Sequence, residues 1–212
     1  MLASLGFAAS AITGSMSFIN YDTQDIQLKV VFYGPEGSGK TAALQHIYSK
    51  TSGGTGQLEK SGNAPADAYY DMLPLKLGDI RGFSTHIQLF TVPGATAYRE
   101  ARREILDGAD GLVFMADSRP ARMNDNLASI EELALALRAN SYDPTKIPFV
   151  LACGHADAAG AAKPEDLAAA LLTTHPKAQT IPVFAVAAVR GTGVFDVLKA
   201  ISKLVLTELK RA

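Results

Sequence analysis

Apolar residues follow two kinds of spacing along the chain, and the two kinds alternate. Short runs rich in β-branched and aromatic residues, such as IQLKVVFY, are typical of strands, whereas apolar residues three or four positions apart are typical of helices. Strands are predicted at 26–33, 69–77, 86–92, 111–116, 147–153 and 181–187, and helices at 40–50, about 97–107, about 122–139, after Pro164, and at 194–210. This alternation predicts an α/β fold whose mostly parallel sheet carries helices on both faces.

One pair of strands is predicted to be antiparallel. The letters GDIRGFS between 69–77 and 86–92 suit a hairpin turn. The segment from Thr51 to Ala68 is rich in Gly, Ser, Thr, Asn and Pro and predicts a long loop. Two helices show clear inner faces, formed by Leu127, Ile130, Leu133 and Leu137 in the first and by Val194, Val197, Leu198, Ile201, Val205 and Leu209 in the last.

Length and composition indicate one soluble domain. The chain has 212 residues, 48% of them hydrophobic and 19% charged, and its formal net charge of -1 gives no indication of nucleic-acid binding. A single cysteine, Cys153, excludes an internal disulfide framework and favours the cytoplasm. Residues 1–15 are apolar and small, lack the basic region of a signal peptide and are too short to span a bilayer. We expect a flexible extension at 1–15 and a single domain at 16–212.

The stretch GPEGSGKT at residues 34–41 matches the phosphate-binding loop G-x-x-x-x-G-K-[ST]. It lies between a predicted strand and a predicted helix, where backbone N–H groups and the positive helix terminus can wrap a diphosphate. Lys40 should reach the outer phosphates, and the Thr41 hydroxyl should coordinate Mg²⁺. The loop residues predicted to bind phosphate are Gly34, Glu36, Gly37, Ser38, Gly39, Lys40 and Thr41.

Together with SFINY, MLPLKLGDIRGF, FTVPG, VFMADS and GVFDVLK, this loop resembles the MglA-like bacterial small GTPases of the Ras/Arf-like superfamily. The resemblance runs from about Met16 to Arg211 and implies a three-layer P-loop small-GTPase fold with a five- to six-stranded sheet. It also implies GTP or GDP binding with Mg²⁺, a role in cell polarity or motility, and a cytoplasmic protein recruited to a pole or membrane complex through partners. The implied partners are roadblock-type regulators such as MglB and switch-dependent effectors.

The resemblance places Gly94 of FTVPG at the phosphates, but several family residues with catalytic roles are missing. Ala95 stands where the family has the glutamine that orients the attacking water. Ala66 and Asp67 stand where an arginine and a magnesium-binding threonine are expected, which leaves Thr51 and Thr55 as alternative ligands.

The carboxylate of the D-x-x-G motif is also replaced, by Thr91. Asp117, at the end of GLVFMA, either holds magnesium through water or caps the following segment.

The base-recognition motifs are partly retained. Gly154, His155 and Asp157 align with the asparagine, lysine and aspartate of N-K-x-D, so the carboxylate that accepts hydrogen bonds from guanine is present. His155 either stacks on the base or is an exposed loop imidazole. The backbone N–H of Ala188 can meet guanine O6.

These features predict a guanine-nucleotide switch whose GTP hydrolysis is slow or absent, because Ala95 cannot orient water. Two alternatives are a pseudo-GTPase interaction module and an ATP-binding P-loop protein. Arg81, Arg99, Arg102 and Arg103 are either sources of a catalytic positive charge or plain surface residues. A partner is expected on the surface formed by the 51–68 loop, Tyr69, Tyr70 and the segment from Ala95 to Arg103.

Overall fold

The computed structural model describes residues 18–51, 59–61, 70–92, 99–173, 175 and 178–211, and the side chains of 18, 19, 59–61, 70 and 99 are not described. Its strands and helices, in chain order, are β1 (Phe18–Asn20), β2 (Asp25–Tyr33), α1 (Lys40–Thr51), β3 (Glu59–Ser61), β4 (Tyr70–Ile80), β5 (Phe83–Thr91), α2 (Arg99–Leu106), β6 (Gly111–Asp117), α3 (Met123–Ala139), β7 (Phe149–Gly154), α4 (Pro164–Leu171), β8 (Val183–Ala185) and α5 (Val194–Leu209).

The described strands form one mixed sheet in the order β3-β4-β5-β2-β6-β7-β8, with β1 paired to β2. The strands β5, β2, β6, β7 and β8 run parallel, whereas β4 is antiparallel to β5. The predicted α/β fold with a mostly parallel sheet and one antiparallel hairpin is therefore confirmed.

Two short antiparallel pairings, of β1 with β2 and of β3 with β4, extend the sheet. β3 lies inside the segment predicted as loop, because its letters EKS show no apolar alternation.

The hairpin is longer than its apolar letters predicted. Asp79 pairs with Ser84 and Ile80 with Phe83, so the two strands continue through polar residues to the turn. Arg81 and Gly82 form this turn with φ angles of 53° and 85°. Positive φ at both central residues is the mark of a type I′ hairpin, whose twist matches that of the strands.

The sheet has a separate hydrophobic core on each face. Side chains alternate along β2, so Val30 and Phe32 pack toward α1 and α5, while Val31 and Tyr33 pack toward α2, α3 and α4. The predicted apolar faces of the α3 and α5 helices contribute to these cores, with Leu133, Leu137, Ile201 and Val205 among their buried members. The fold therefore has three layers, and β2 is central in the middle one.

The parallel strands β2, β6 and β7 end at Tyr33, Asp117 and Gly154. Their carboxyl ends share one edge of the sheet, which is where ligands bind in open α/β folds. Cys153 is buried in the core just before that edge, and burial, with Glu165 contributing, raises the pKa of its thiol to about 12. No helix in the described part of the chain is long and apolar enough to cross a membrane.

Candidate nucleotide-binding site

The phosphate-binding loop leaves β2 in a conformation that needs glycine at its first position. Gly34 has φ of 145°, and a Cβ there would lie 2.2 Å from the Met115 carbonyl oxygen on β6. Inside the loop, Lys40 Nζ donates hydrogen bonds to the carbonyl oxygens of Gly34 and Pro35, both at 2.8 Å. The ammonium group is thus directed into the loop. There the two carbonyl oxygens accept the hydrogen bonds that phosphate oxygens would accept from Lys40 in a nucleotide complex.

Lys40 carries its charge at an energetic cost. Burial, first, and the Arg102 guanidinium, second, lower its pKa from 10.5 to about 8, and Glu36 opposes the shift. Burial disfavours the ammonium, and a second cation nearby disfavours it further. An anionic ligand in the loop would offset both effects.

Asp71 is a candidate site residue that the sequence analysis missed. It is buried on β4, and its Oδ2 accepts hydrogen bonds from the hydroxyls of Thr41, at 2.6 Å, and Thr91, at 3.1 Å. The backbone N–H of Asp71 in turn donates to Thr91 Oγ1 at 3.0 Å. A carboxylate therefore lies beside the predicted magnesium ligand, supplied by the strand next to the one that carries Thr91. The Asp71–Thr91 pairing could have been found only from the hairpin register.

The Asp117 carboxylate is buried and is engaged by arginines. Its two oxygens accept hydrogen bonds from Arg119 Nε and Nη2 at 2.9 and 2.5 Å, and Arg122 Nε lies 3.4 Å from Oδ2. Burial would raise the pKa of Asp117, but the hydrogen bonds and charge of Arg119, with a contribution from His155, hold it below its usual range. Asp117 Oδ1 also accepts from the Arg119 backbone N–H at 3.1 Å, the capping contact anticipated for this residue.

Two of the three predicted base-recognition residues, His155 and Ala188, lie against the phosphate loop. His155 has φ of 56°, and its Nε2 lies 2.7 Å from the Gly37 carbonyl oxygen. Ala188 is buried, and its Cβ lies 3.5 Å from where a Cβ on Gly39 would be. The Asp157 carboxylate is paired with Arg190 Nε at 3.1 Å. The structure thus brings together phosphate-loop and base-loop residues that are more than a hundred positions apart.

Among the three candidate arginines whose side chains are described, Arg102 is the one whose surface interpretation is wrong. Its side chain is 2% exposed, and it pairs with Glu132 of α3 at 2.9 Å. Its guanidinium also lies 5.9 Å from the centre of the Tyr33 ring. Arg103 is exposed and bonds to Asn140, and Arg81 is exposed at the hairpin turn.

Several predicted residues lie outside the described ones: residues 1–15, Thr55, Ala66, Asp67, Tyr69, Gly94, Ala95, and the side chains of Tyr70 and Arg99. Thr51 ends α1, ten residues beyond Thr41, and its hydroxyl bonds to the Ile47 carbonyl oxygen. Ten residues of helix span about 15 Å, so Thr51 does not share the magnesium site with Thr41.

Comparison with known proteins adds a close relative and a shared fold. The chain is 46% identical to the mutual gliding-motility protein MglA of Myxococcus xanthus (strain DK1622) over 198 residues, which cover 92% of this chain and 99% of that protein. It also resembles the solved structure of the Arl6 BBS3 small GTPase from Trypanosoma brucei with bound GppNp. That match has a TM-score of 0.61 at 22% identity and covers 85% of this chain and 98% of the other, so it shows the fold alone.

A phosphate loop at the carboxyl edge of this sheet, with a base loop packed against it, defines the small-GTPase class of P-loop proteins. The family model of ADP-ribosylation factors matches residues 71–205. The chain belongs to that family and is an MglA-like member of it.

Restoring the family asparagine at position 154 should damage the protein. A Cβ on Gly154 would lie 2.2 Å from the Ser38 carbonyl oxygen, so Gly154→Asn should lower the free energy of unfolding by about 1–3 kcal/mol or more. Urea unfolding measures this loss. The control is Gly160→Asn, which has φ of 70° and no heavy atom within 4 Å. A Gly154→Asn variant as stable as the parent would contradict the close approach.

The depressed pKa of Lys40 should make the nucleotide-free protein more stable as the pH rises from about 8 toward 10.5. In that interval the unfolded state binds the proton more strongly than the folded state does, so stability increases with pH. Lys40 should contribute about 2 kcal/mol of this increase between pH 8 and 10. Urea unfolding across that range should show the increase in the parent and in Lys199→Met, whose lysine is exposed, but not in Lys40→Met. If the free energy of unfolding changed with pH in the same way in the parent and in Lys40→Met, the assignment of the increase to Lys40 would be refuted.

Proposed function

We propose that this protein is a guanine-nucleotide-dependent switch of the MglA type that binds GTP and GDP with Mg²⁺ and acts through partner proteins. The observation that carries the proposal is the junction of the two loops. The phosphate-loop carbonyl of Gly37 meets His155, and Gly39 packs against Ala188. A ligand that fills both loops needs a diphosphate at one end and a base with N–H donors at the other, as GDP and GTP have.

Thr41 and Asp71 are the residues that would hold magnesium. Hydroxyl and carboxylate oxygens are the ligands that this cation prefers, and here they are 2.6 Å apart. When bound, Mg²⁺ supplies positive charge that neutralises the β- and γ-phosphate oxygens. We assign the carboxylate role to Asp71 rather than Asp117, because both Asp117 oxygens are engaged by Arg119.

Guanine selectivity is assigned to Asp157, with Ala188 as a backbone donor to O6. The N1–H and 2-amino groups of guanine can both donate to one carboxylate, whereas adenine lacks this donor pair. Arg190 must leave Asp157 when the base binds. The pair is exposed and therefore weak, so it costs little to open.

The Arg190–Asp157 pair also favours a second candidate function, an interaction module that holds no nucleotide. In that case Arg190 stays paired with Asp157, because no base competes for the carboxylate. An ATP-binding protein is a weaker candidate, because Asp157 offers no donor to the acceptor N1 of adenine.

Hydrolysis is proposed to be slow or absent in the isolated protein. Ala95 offers no group to orient water, and Ala66 offers no positive charge. Arg102, the buried candidate, is held by Glu132. The positive charge that stabilises the γ-phosphoryl group during hydrolysis would then have to come from a partner protein.

The proposed partners are a roadblock-type regulator related to MglB and effectors that distinguish the nucleotide states. They would act in cell polarity or motility, with the protein recruited from the cytoplasm. The motility role is proposed because the Myxococcus relative is a gliding-motility protein. The proposed contact surface remains the 51–68 loop, Tyr69, Tyr70 and the segment from Ala95 to Arg103, without the buried Arg102.

Nucleotide titration tests the proposed binding and the metal site together. Labelled GDP and GTP should bind the parent more tightly than ATP in millimolar Mg²⁺, and Lys40→Ala should weaken binding strongly. Asp71→Asn should reduce the enhancement of GDP affinity by Mg²⁺ about tenfold, because a metal-site oxygen loses its charge. Asp79→Asn, an exposed position on the same strand, is the control and should have no effect. No binding of any nucleotide by the parent would establish the interaction module instead.

Single-turnover release of phosphate from preloaded GTP tests the proposed lack of hydrolysis. The parent should release almost none, and Ala95→Gln should raise the rate because its amide can orient water. A partner that supplies an arginine should raise it further, by about 10³- to 10⁵-fold. Rapid hydrolysis by the unassisted parent would show that another residue orients the water.

A further inference from the structure

The outer face of the phosphate loop is contacted by side chains that the proposed chemistry does not use. Arg122 Nη2 donates to the Glu36 carbonyl oxygen at 2.6 Å. Arg119 Nη2 lies 3.5 Å from the Gly37 carbonyl oxygen, at the limit of a hydrogen bond. Both arginines follow β6, so they reach the loop from the side of α3. Arg122 makes the shorter contact and is the less exposed of the two.

Arg122 is fixed in place by two carboxylates. Its Nε lies 3.4 Å from Oδ2 of the fully buried Asp117, and its Nη1 is paired with Asp125 one turn along. Asn126 holds Asp117 itself through two 2.8 Å hydrogen bonds with its backbone, one from the Asp117 N–H and one to its carbonyl oxygen. The guanidinium therefore bridges the end of β6 and the phosphate loop.

Holding the Glu36 carbonyl has a consequence for the ligand side of the loop. In a planar trans peptide the carbonyl and the following N–H point in opposite directions. When Arg122 holds the Glu36 oxygen outward, the Gly37 N–H is therefore turned to the opposite, inner side of the loop. Gly154, the neighbouring base-loop position, has no side chain that could perform this task, since the Ser38 carbonyl occupies its Cβ position.

We propose that Arg122, anchored by Asp117 and Asp125, is a positioning residue for nucleotide binding. It fixes the peptide between Glu36 and Gly37 so that the Gly37 N–H faces the diphosphate. Asp117 serves as the anchor of this arginine and not as a magnesium ligand. The proposal rests on the proposed nucleotide binding, but the loop conformation can be measured without any nucleotide.

The first test measures amide hydrogen exchange in nucleotide-free protein. Exchange across residues 34–41 should be faster in Arg122→Ala than in the parent. Arg138→Ala, which changes an exposed arginine near the end of α3, should leave it unchanged. Exchange at the parental rate in Arg122→Ala would overturn the proposal whether or not the protein binds nucleotide.

The second test measures the dissociation of GDP and of IDP, which lacks the 2-amino group. Arg122→Ala should speed both about tenfold, because a charged hydrogen bond that orders the phosphate loop is lost. Arg122→Lys should recover part of the loss, since an ammonium cannot reach the Glu36 carbonyl oxygen and the Asp125 carboxylate together. An effect on GDP alone would place Arg122 at the base and contradict the proposal. Asp157→Ala, in contrast, should affect GDP more than IDP.

The third test separates the anchor from a metal ligand. Asp117→Asn should speed GDP dissociation to a similar degree in Mg²⁺ and in EDTA. In the Arg122→Ala background, the further substitution Asp117→Asn should raise the dissociation rate little. If Asp117→Asn sped GDP dissociation only in Mg²⁺, Asp117 would instead be identified as a magnesium ligand, and this part of the proposal would be overturned. If the parent binds no GDP, the proposed function fails, and hydrogen exchange alone then decides whether Arg122 holds the loop.

Discussion

The close approach of the phosphate loop to two strand ends is the constraint on which the site depends. Gly34 touches the β6 backbone at Met115, and Gly154 at the end of β7 touches the loop backbone at Ser38. Both contacts leave no room for a side chain. They arise because β2, β6 and β7 are parallel neighbours, so the segments that follow them are stacked at one edge. The base loop can therefore brace the phosphate loop, and little freedom remains for substitution at either glycine.

The same sheet explains how a missing carboxylate can be replaced. β4 and β5 are antiparallel, and the register that pairs Met72 with Phe90 brings Asp71 opposite Thr91. Asp71 therefore reaches Thr41 from beside Thr91, the position at which the family motif has its carboxylate.

The charges around the loop are arranged in layers. Lys40 lies inside the loop, with Arg102 near enough to lower its pKa, while Arg119 and Arg122 contact the loop from outside. Glu132 and Asp117 pair with the arginines but not with Lys40. Within the described part of the chain the positive charge of Lys40 is thus offset only in part, by Glu36, and this arrangement favours a polyanionic ligand over a neutral one.

The sequence by itself determined the three-layer fold, the position of the phosphate loop and the family. Each of these depends on a local pattern. Apolar periodicity predicts the fold, the spacing of glycine and lysine locates the phosphate loop, and the order of the short motifs along the chain indicates the family. The added strand β3, the extension of the hairpin, the burial of Arg102, the Asp71 carboxylate beside Thr41 and the use of Asp117 to hold arginines were decided by the tertiary structure alone. The contacts of Asp71 with Thr41 and Thr91, and of Arg102 with Glu132, join residues twenty or thirty positions apart, too far for a local pattern to reveal. The hairpin extension and the Asp117–Arg119 contact join near neighbours, but they depend on backbone pairing and side-chain orientation in the folded chain, which apolar spacing does not encode.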